Sequence, residues 1–583
     1  MSKTSQLGPN LYYERCSIKG ATAVRSRALC ATAQQKRCSD SAGPPAFVVI
    51  PRTAADSRGT KSSGNMRLLP LACMLALFLL SGCKVGPNYH PPVASMPAAW
   101  GETEGSSISS QSTSRPSTQP AWRPAMQPGQ LASWWKRFDD PVLDQLIQEA
   151  VAGSPTLRQA EARVRLARAQ RQIAAAPLWP FLNSSASYER LRISKNAFGG
   201  GASASSGGTT AAPGAAGGGG SFDTNLYQAG FDASWELDVF GRTRRSVEAA
   251  DANYGAAVED RRDVLVSLLA EVGLNYMQLR GFQRQIIIAE NNLQTQRQTL
   301  ELTQLRLSGG IATELEVDQA AAQVAATESV IQPFRTATRQ AIHLLSTLTG
   351  RDPMSLSQRL TPPSPIPDPP PEIPLGLPSD LLRQRADIRR AERQLASATA
   401  QIGVAVADLF PRFSLTGDFG WQSTNLRNWF NGDSVAWSAG PGMSWPIFQG
   451  GAIRANIRAR TAIQEQAAAA YEQAVLAALR DVEDALAAYA NEQVHLKLLS
   501  DAVAADKKAL DMARLLFEQG RTDFLNVLDA QRSLFIAQDA QVRSTSALAS
   551  DAVTLYKALG GGWEAMGPEG EKANNEYRTR NNE

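Results

Sequence analysis

The chain has 583 residues, 43% of them hydrophobic and 20% charged, with a net charge of +4. That balance excludes a disordered polymer and a bundle of membrane-spanning helices, and so small a net charge carries no nucleic-acid footprint. The three histidines (His90, His343, His495) are scattered and the five cysteines (Cys16, Cys30, Cys38, Cys73, Cys83) all precede Lys84, which argues against a metal site, a cofactor or a Cys-His nucleophile.

In chain order, residues 1–65 are Arg- and Ser-rich without apolar periodicity and read as a non-native N-terminal extension, with Met66 as the expected start and Met1 as the alternative. Residues 66–82 carry Met66-Arg67, an apolar run to Leu80 and the small residues Ser81-Gly82, a signal peptide too short to span a membrane. Leu80-Ser81-Gly82-Cys83 resembles the bacterial lipobox, in which the cysteine is acylated, typically with palmitate, and becomes the first mature residue. No Asp follows the cysteine to favour inner-membrane retention; Lys84 stands there and leaves the outer membrane open. Residues 83–130 are rich in Ser, Thr, Pro and Gln and are expected to form a lipid-anchored extended tether.

Folded structure is expected from about residue 131. Asp139-Asp140-Pro141 opens a helix, Gly153-Ser154-Pro155 ends it and caps the next, and a strand is expected over about 181–193, followed by a Gly/Ala/Ser loop from Gly199 to Gly220. The strand expected over about 226–240 is the clearest in the chain. From Tyr227 to Val239 every odd position is apolar, while the even positions run Gln228, Gly230, Asp232, Ser234, Glu236, Asp238. A long helical hairpin over 244–350 comes next, free of proline until Pro333.

The pattern then repeats. Glu161 and Glu392 are 231 apart (392 − 161), as are Pro180 and Pro411 (411 − 180); Gly310 and Gly520 are 210 apart (520 − 310), as are Gly350 and Gly560 (560 − 350). The first structural repeat is therefore 131–350 and the second 379–562, with strands about 412–422 and 435–448 and a hairpin over 452–560. A Pro-rich strap, 351–378, joins them, and a flexible C-terminal tail is expected over 563–583.

Trp235, Trp421, Trp437 and Trp445 lie near strand ends, where aromatic rings suit a membrane interface; a soluble sandwich with one wet face is the alternative. About four strands per chain cannot close a barrel, which needs about eight, so a membrane-spanning sheet requires an oligomer.

Three stretches carry a family resemblance: Leu80-Ser81-Gly82-Cys83-Lys84-Val85-Gly86-Pro87-Asn88-Tyr89, Trp235-Glu236-Leu237-Asp238-Val239-Phe240-Gly241-Arg242, and Asp523-Phe524-Leu525-Asn526-Val527-Leu528-Asp529-Ala530-Gln531-Arg532. In this order, within a duplicated chain, they resemble the NodT/OprM-type lipoproteins of the TolC outer-membrane efflux family over about residues 66–565. The resemblance implies a mixed membrane fold, a homotrimer whose transmembrane beta-barrel continues as a periplasmic alpha-barrel. It implies a passive exit duct, not an enzyme, anchored in outer-membrane lipid and docked to a periplasmic adaptor (a membrane fusion protein) and an inner-membrane pump of RND, MFS or ABC type. A type I secretion duct and a periplasmic coiled-coil scaffold lipoprotein are the alternatives. The absence of a G-x-S-x-G elbow counts against a lipid-anchored hydrolase.

The resemblance makes Gly309, Gly310, Gly520, Arg521 and Thr522 the adaptor-docking tip, with the three glycines expected in left-handed helix ends. It puts Asp529 at a periplasmic gate, a ring of carboxylates that binds cations. Asn526 occupies a position where the family often carries another acid. Glu316 is a further gate candidate, although Thr313-Glu314-Leu315-Glu316 also spells a capping box.

Overall fold

The computed structural model describes residues 84–92, 96–97, 100–101, 131–193, 222–370, 373 and 377–564, all within one compact unit, Pro70–Glu583. The expectations for the 1–65 extension, the signal peptide, Cys83, the Gly-rich loop and the chain beyond Glu564 lie outside these residues.

Helix α1 (Pro141–Gly153) starts where Asp140 Oδ1 accepts from the amides of Val142 and Leu143 at 2.8 and 3.2 Å, with proline at the first helical position. Helix α2 (Pro155–Ala175) follows Ser154 directly, but the Ser154 hydroxyl makes no capping bond, so proline alone sets that start. Then come strands β1 (Phe181–Ile193) and β2 (Phe222–Leu237), the 67-residue helix α3 (Arg242–Ser308) and the 35-residue helix α4 (Glu314–Leu348). The second round gives α5 (Ala386–Ala407), β3 (Arg412–Ser423), β4 (Val435–Ser444), the 67-residue α6 (Ala452–Glu518) and the 35-residue α7 (Phe524–Ala558). At ~1.5 Å per residue each long helix reaches about 100 Å.

The duplication is realised element by element. Four helices end in the same way, with a glycine at positive φ: Gly310 (72°), Gly350 (74°), Gly520 (66°) and Gly560 (76°). Each glycine amide reaches back three residues and the next amide five, as in Ile311 N to Arg306 O (2.8 Å) and Arg521 N to Leu516 O (2.9 Å), a Schellman closure that satisfies the last carbonyls.

The four strands form one antiparallel sheet in the order β1-β2-β3-β4. Register puts Tyr188 opposite Tyr227, Phe231 opposite Phe419, and Phe419 opposite Trp437. One face therefore carries Leu182, Tyr227, Phe231, Trp235, Leu415, Phe419 and Trp437, and the other carries Asn183, Asp232, Asp418 and Ser438. No described strand residue is buried, and the oily face is open, with Leu182 71% and Trp437 74% exposed. A sandwich would cover that face with a second sheet; this sheet has none among the described residues.

The core lies midway along the long helices. Trp134 and Tyr556 stack at 5.6 Å among Leu269, Val272, Tyr276, Val482, Leu486 and Val553. Two expectations for the chain ends are corrected here. The lead is no slack tether where it is described: Lys84–Tyr89 lies against the body, Trp100 is buried in the core, and the Gly101 amide donates to Glu483 Oε1 at 2.8 Å. Trp563 is not tail either, since its indole donates to Gln384 O at 3.1 Å while Arg262 lies 4.3 Å over its ring.

Candidate functional site

The end of the hairpins far from the sheet is built from two five-residue connections, 309–313 and 519–523. Only Gly310 and Gly520 adopt the left-handed conformation; Gly309 is right-handed (φ −80°) and its counterpart is Gln519, so the expectation for Gly309 is corrected. Both left-handed glycines face open space, which leaves backbone strain as the only reason for glycine there. Around them Leu305, Ile311, Leu315 and Leu525 are exposed, as is Arg521, while Thr522 is half-buried. The two turns are tied together where Arg306 stacks over Phe517 at 4.2 Å and Phe517 packs on Phe524 at 5.4 Å.

In the first and second turns of α7, Asn526 and Asp529 are both exposed; Asn526 Nδ2 donates to Thr522 Oγ1 at 2.8 Å, and Asp529 has no hydrogen-bond or ion-pair partner among the described residues. Glu316, the counterpart of Asn526, is half-buried on α4. The Thr313 hydroxyl donates to Glu316 Oε1 at 3.3 Å and caps no amide, so the reciprocal capping box is not formed. No bond joins Glu316 to Asp529 within one chain. Among the described residues, no three His, Cys, Asp or Glu side chains are placed to hold a metal ion.

At the sheet, three of the four tryptophans mark two levels. Trp235 and Trp445 lie at the helix end, and their indoles donate to Leu178 O (3.1 Å) and Leu409 O (3.0 Å), one bond made twice by the duplication. Trp421 lies toward the far end, where Trp421, Phe430, Trp429, Tyr227 and Tyr188 form a chain of ring contacts of 4.7–5.7 Å, while Trp437, level with Phe419 and Phe231, lies between the two ends. Tyr227 and Trp235 are eight residues apart, about 26 Å along a strand, which at a tilt of about 40° rises about 20 Å and fits within the ~25 Å apolar band of an outer-membrane barrel. On the wet face Asp232 and Asp418 stand directly opposite each other, one taking a bond from Asn183 (2.9 Å), the other from Ser438 (2.8 Å). Paired like charges in register need water around them.

Sequence reasoning missed the buried polar groups. Between the hairpins, α3 and α7 meet through Gln285–Asp539 (2.7 Å), Asn292–Gln538 (3.0 Å) and Gln531–Thr299 (3.1 Å). The heptad spacing of Gln285, Asn292 and Thr299 was the available signal. Near the sheet, Arg245 is buried against the Val85-Gly86-Pro87-Asn88 lead, a stretch legible in the sequence only as a motif.

A sheet with one uncovered oily face, feeding two hairpins of equal length, defines the architecture of an outer-membrane efflux channel. The chain belongs to the family described as Outer membrane efflux protein, whose model matches residues 146–351 and 377–561. It is 33% identical over 501 residues to the solvent efflux pump outer membrane protein SrpC of Pseudomonas putida, covering 84% of this chain and 97% of that protein. It is 31% identical over 502 residues to the outer membrane protein OprJ of Pseudomonas aeruginosa, covering 85% and 96%. Among solved structures, the outer-membrane channel OprN superposes with a TM-score of 0.73 at 36% identity, over 83% of this chain and 100% of that one. The open state of the MtrE outer membrane channel of Neisseria gonorrhoeae gives 0.64 at 28% identity, over 83% and 99%. The family locates the chain in the outer membrane and makes it a transport duct, not an enzyme.

Proposed function

We propose that the chain is the outer-membrane exit duct of a tripartite efflux system, a homotrimer anchored through acylated Cys83. The observation that carries this reading is the open sheet: among the described residues β1 and β4 are both unpaired edges, and a lipid-facing sheet cannot leave edges unpaired. Pairing β4 of one copy with β1 of the next repeats the β2–β3 junction that already joins the two halves of one chain. Three copies give twelve strands (3 × 4), enough for a barrel, with the wet face of Asp232 and Asp418 lining the lumen. The helical hairpins then descend as one tube, and their turns at Gly310 and Gly520 meet a periplasmic adaptor coupled to the pump.

In that assembly the unpartnered Asp529 supplies one carboxylate per copy at the narrow end, a cation-binding ring that hinders passage. Purified protein reconstituted into a planar bilayer is the test. A detergent-resistant trimer should conduct, multivalent cations added on the hairpin side should block it, and Asp529→Asn should weaken that block by about tenfold or more. A monomer without conductance would favour a scaffold and remove the duct.

A further inference from the structure

Arg245, in the first turn of α3, is only 1% exposed, and every nitrogen of its guanidinium is used. Nε donates to Val85 O at 3.0 Å, Nη2 donates to Gly86 O at 3.1 Å and Asn88 Oδ1 at 2.8 Å, and Nη1 donates to both oxygens of Glu248 at 3.2 and 3.0 Å. Glu248 also pairs with the Lys84 ammonium at 3.6 Å, and the Val85 amide donates to Phe240 O at 3.3 Å. Gly86 adopts φ +89° and lies so close to Gly403 that a Cβ on it would fall 2.5 Å from the Gly403 Cα. A Cβ on Gly403 would in turn fall 2.8 Å from the Arg245 side chain. Farther along, the Tyr89 hydroxyl donates to Glu392 Oε1 at 3.2 Å.

This socket is built once per chain. At the positions 210 and 231 residues away, the second repeat has Ala455 in place of Arg245 (455 − 245) and the first has Gln172 in place of Gly403 (403 − 172). The duplication therefore does not account for it, whereas the single N-terminal lead does. A buried guanidinium fork that binds two backbone carbonyls grips the course of the main chain, whatever side chains it carries.

We propose that Arg245, Glu248 and Gly403 form a clamp that holds the acyl-bearing end of the chain at the sheet–helix junction, so that lipid anchor and sheet enter the bilayer together as one body; this rests on reading Cys83 as the acylated first residue. Arg245 is a positioning residue: it sets where the anchor emerges and touches no transported molecule.

The sequence supplies its own probe. Trypsin spares Arg-Pro bonds, so Arg115-Pro116 and Arg123-Pro124 resist it, and Lys84-Val85 is the one cleavable bond between the acyl group and Lys136. The full-length chain is labelled with radioactive palmitate in a Gram-negative host, and its membranes are digested with trypsin without denaturant. The wild type should keep its label on a fragment that reaches at least from residue 83 to 136, whereas a cut after Lys84 leaves it on a dipeptide. Arg245→Ala, and Gly86→Val on the lead itself, should each lose label about tenfold faster, with the assembled band unchanged on a mild gel and Arg245→Lys falling between. Equal rates of loss in the wild type and both variants overturn the clamp. A wild type that takes up no label overturns the acylation and the clamp with it, an outcome distinct from labelled chains that shed label equally.

Discussion

Burial on α7 pushes the Asp551 carboxyl up to about 6, and the Glu492 carboxylate on α6 pushes in the same direction. Glu492 is itself engaged by the Ser544 hydroxyl and by His495 at 3.1 Å. Since the ordinary value is 3.8, the folded chain binds this proton more tightly than the unfolded chain between about pH 4 and 6. Stability from this group is greatest below that window, falls as pH rises through it, and is lowest above it. Asp551→Asn should therefore stabilise the fold at about pH 7.5 by on the order of 1 kcal/mol after solvent screening, read as a higher melting temperature, and leave it unchanged near pH 4. A variant that gains equally at both pH values would assign the effect to packing. Neither Asp551 nor Arg245 is conspicuous in the sequence, where one is an acid in a long helix and the other the last of Arg242-Thr243-Arg244-Arg245. Their burial depends on α5, α6 and the N-terminal lead crossing over them, and no local periodicity encodes that.

The elements were the most legible level. A period of two in β2 and a period of 3.6 in α3 are separated only by the turn around Gly241, and the structure changes there from strand to helix. β2 begins earlier than its alternation implies, at Phe222, where it pairs with Ile193 of β1, and it ends earlier, at Leu237, because Asp238 turns to accept the amides of Thr243 and Arg244 at 3.1 and 2.8 Å and opens α3. Its side chain serves as a helix anchor where the pattern made it one more wet-face strand residue. Glycine pattern alone did not tell Gly309 from Gly310, since only the hydrogen-bond closure fixes which residue takes the left-handed turn. Gly310→Ala and Gly520→Ala should each cost about 1 kcal/mol and speed amide exchange in the last turn of the preceding helix, while Gly309→Ala should be close to neutral. Equal effects at Gly309 and Gly310 would contradict the closure described.

Across the whole molecule, strand number and duplication could be counted from the sequence, and the proposed oligomer is argued from them; the path of the lead could not be read there. The joint between the halves is the β2–β3 pair, where Gly230 and Gly420 stand opposite each other. A Cβ on Gly420 would lie 2.5 Å from Ala229 O and 2.7 Å from the Gly230 Cα. Gly420→Val should part these strands and abolish most of the heat-stable assembled band, with helical circular dichroism retained because the helical core is remote. Loss of both signals would mean that sheet and helices fold as a single unit.

Gly350 follows Gly310 by 40 residues and Gly560 follows Gly520 by the same 40 (350 − 310; 560 − 520), and the descending helices match at 67 residues. The two loops of a protomer thus stop at one depth, and in the trimer proposed above six loops would form a flush collar. A gasket seals only against an even lip. Adding one heptad to both arms of a single hairpin would drop its loop by about 10 Å, making the collar uneven and opening a leak at the joint while the pore above stayed whole.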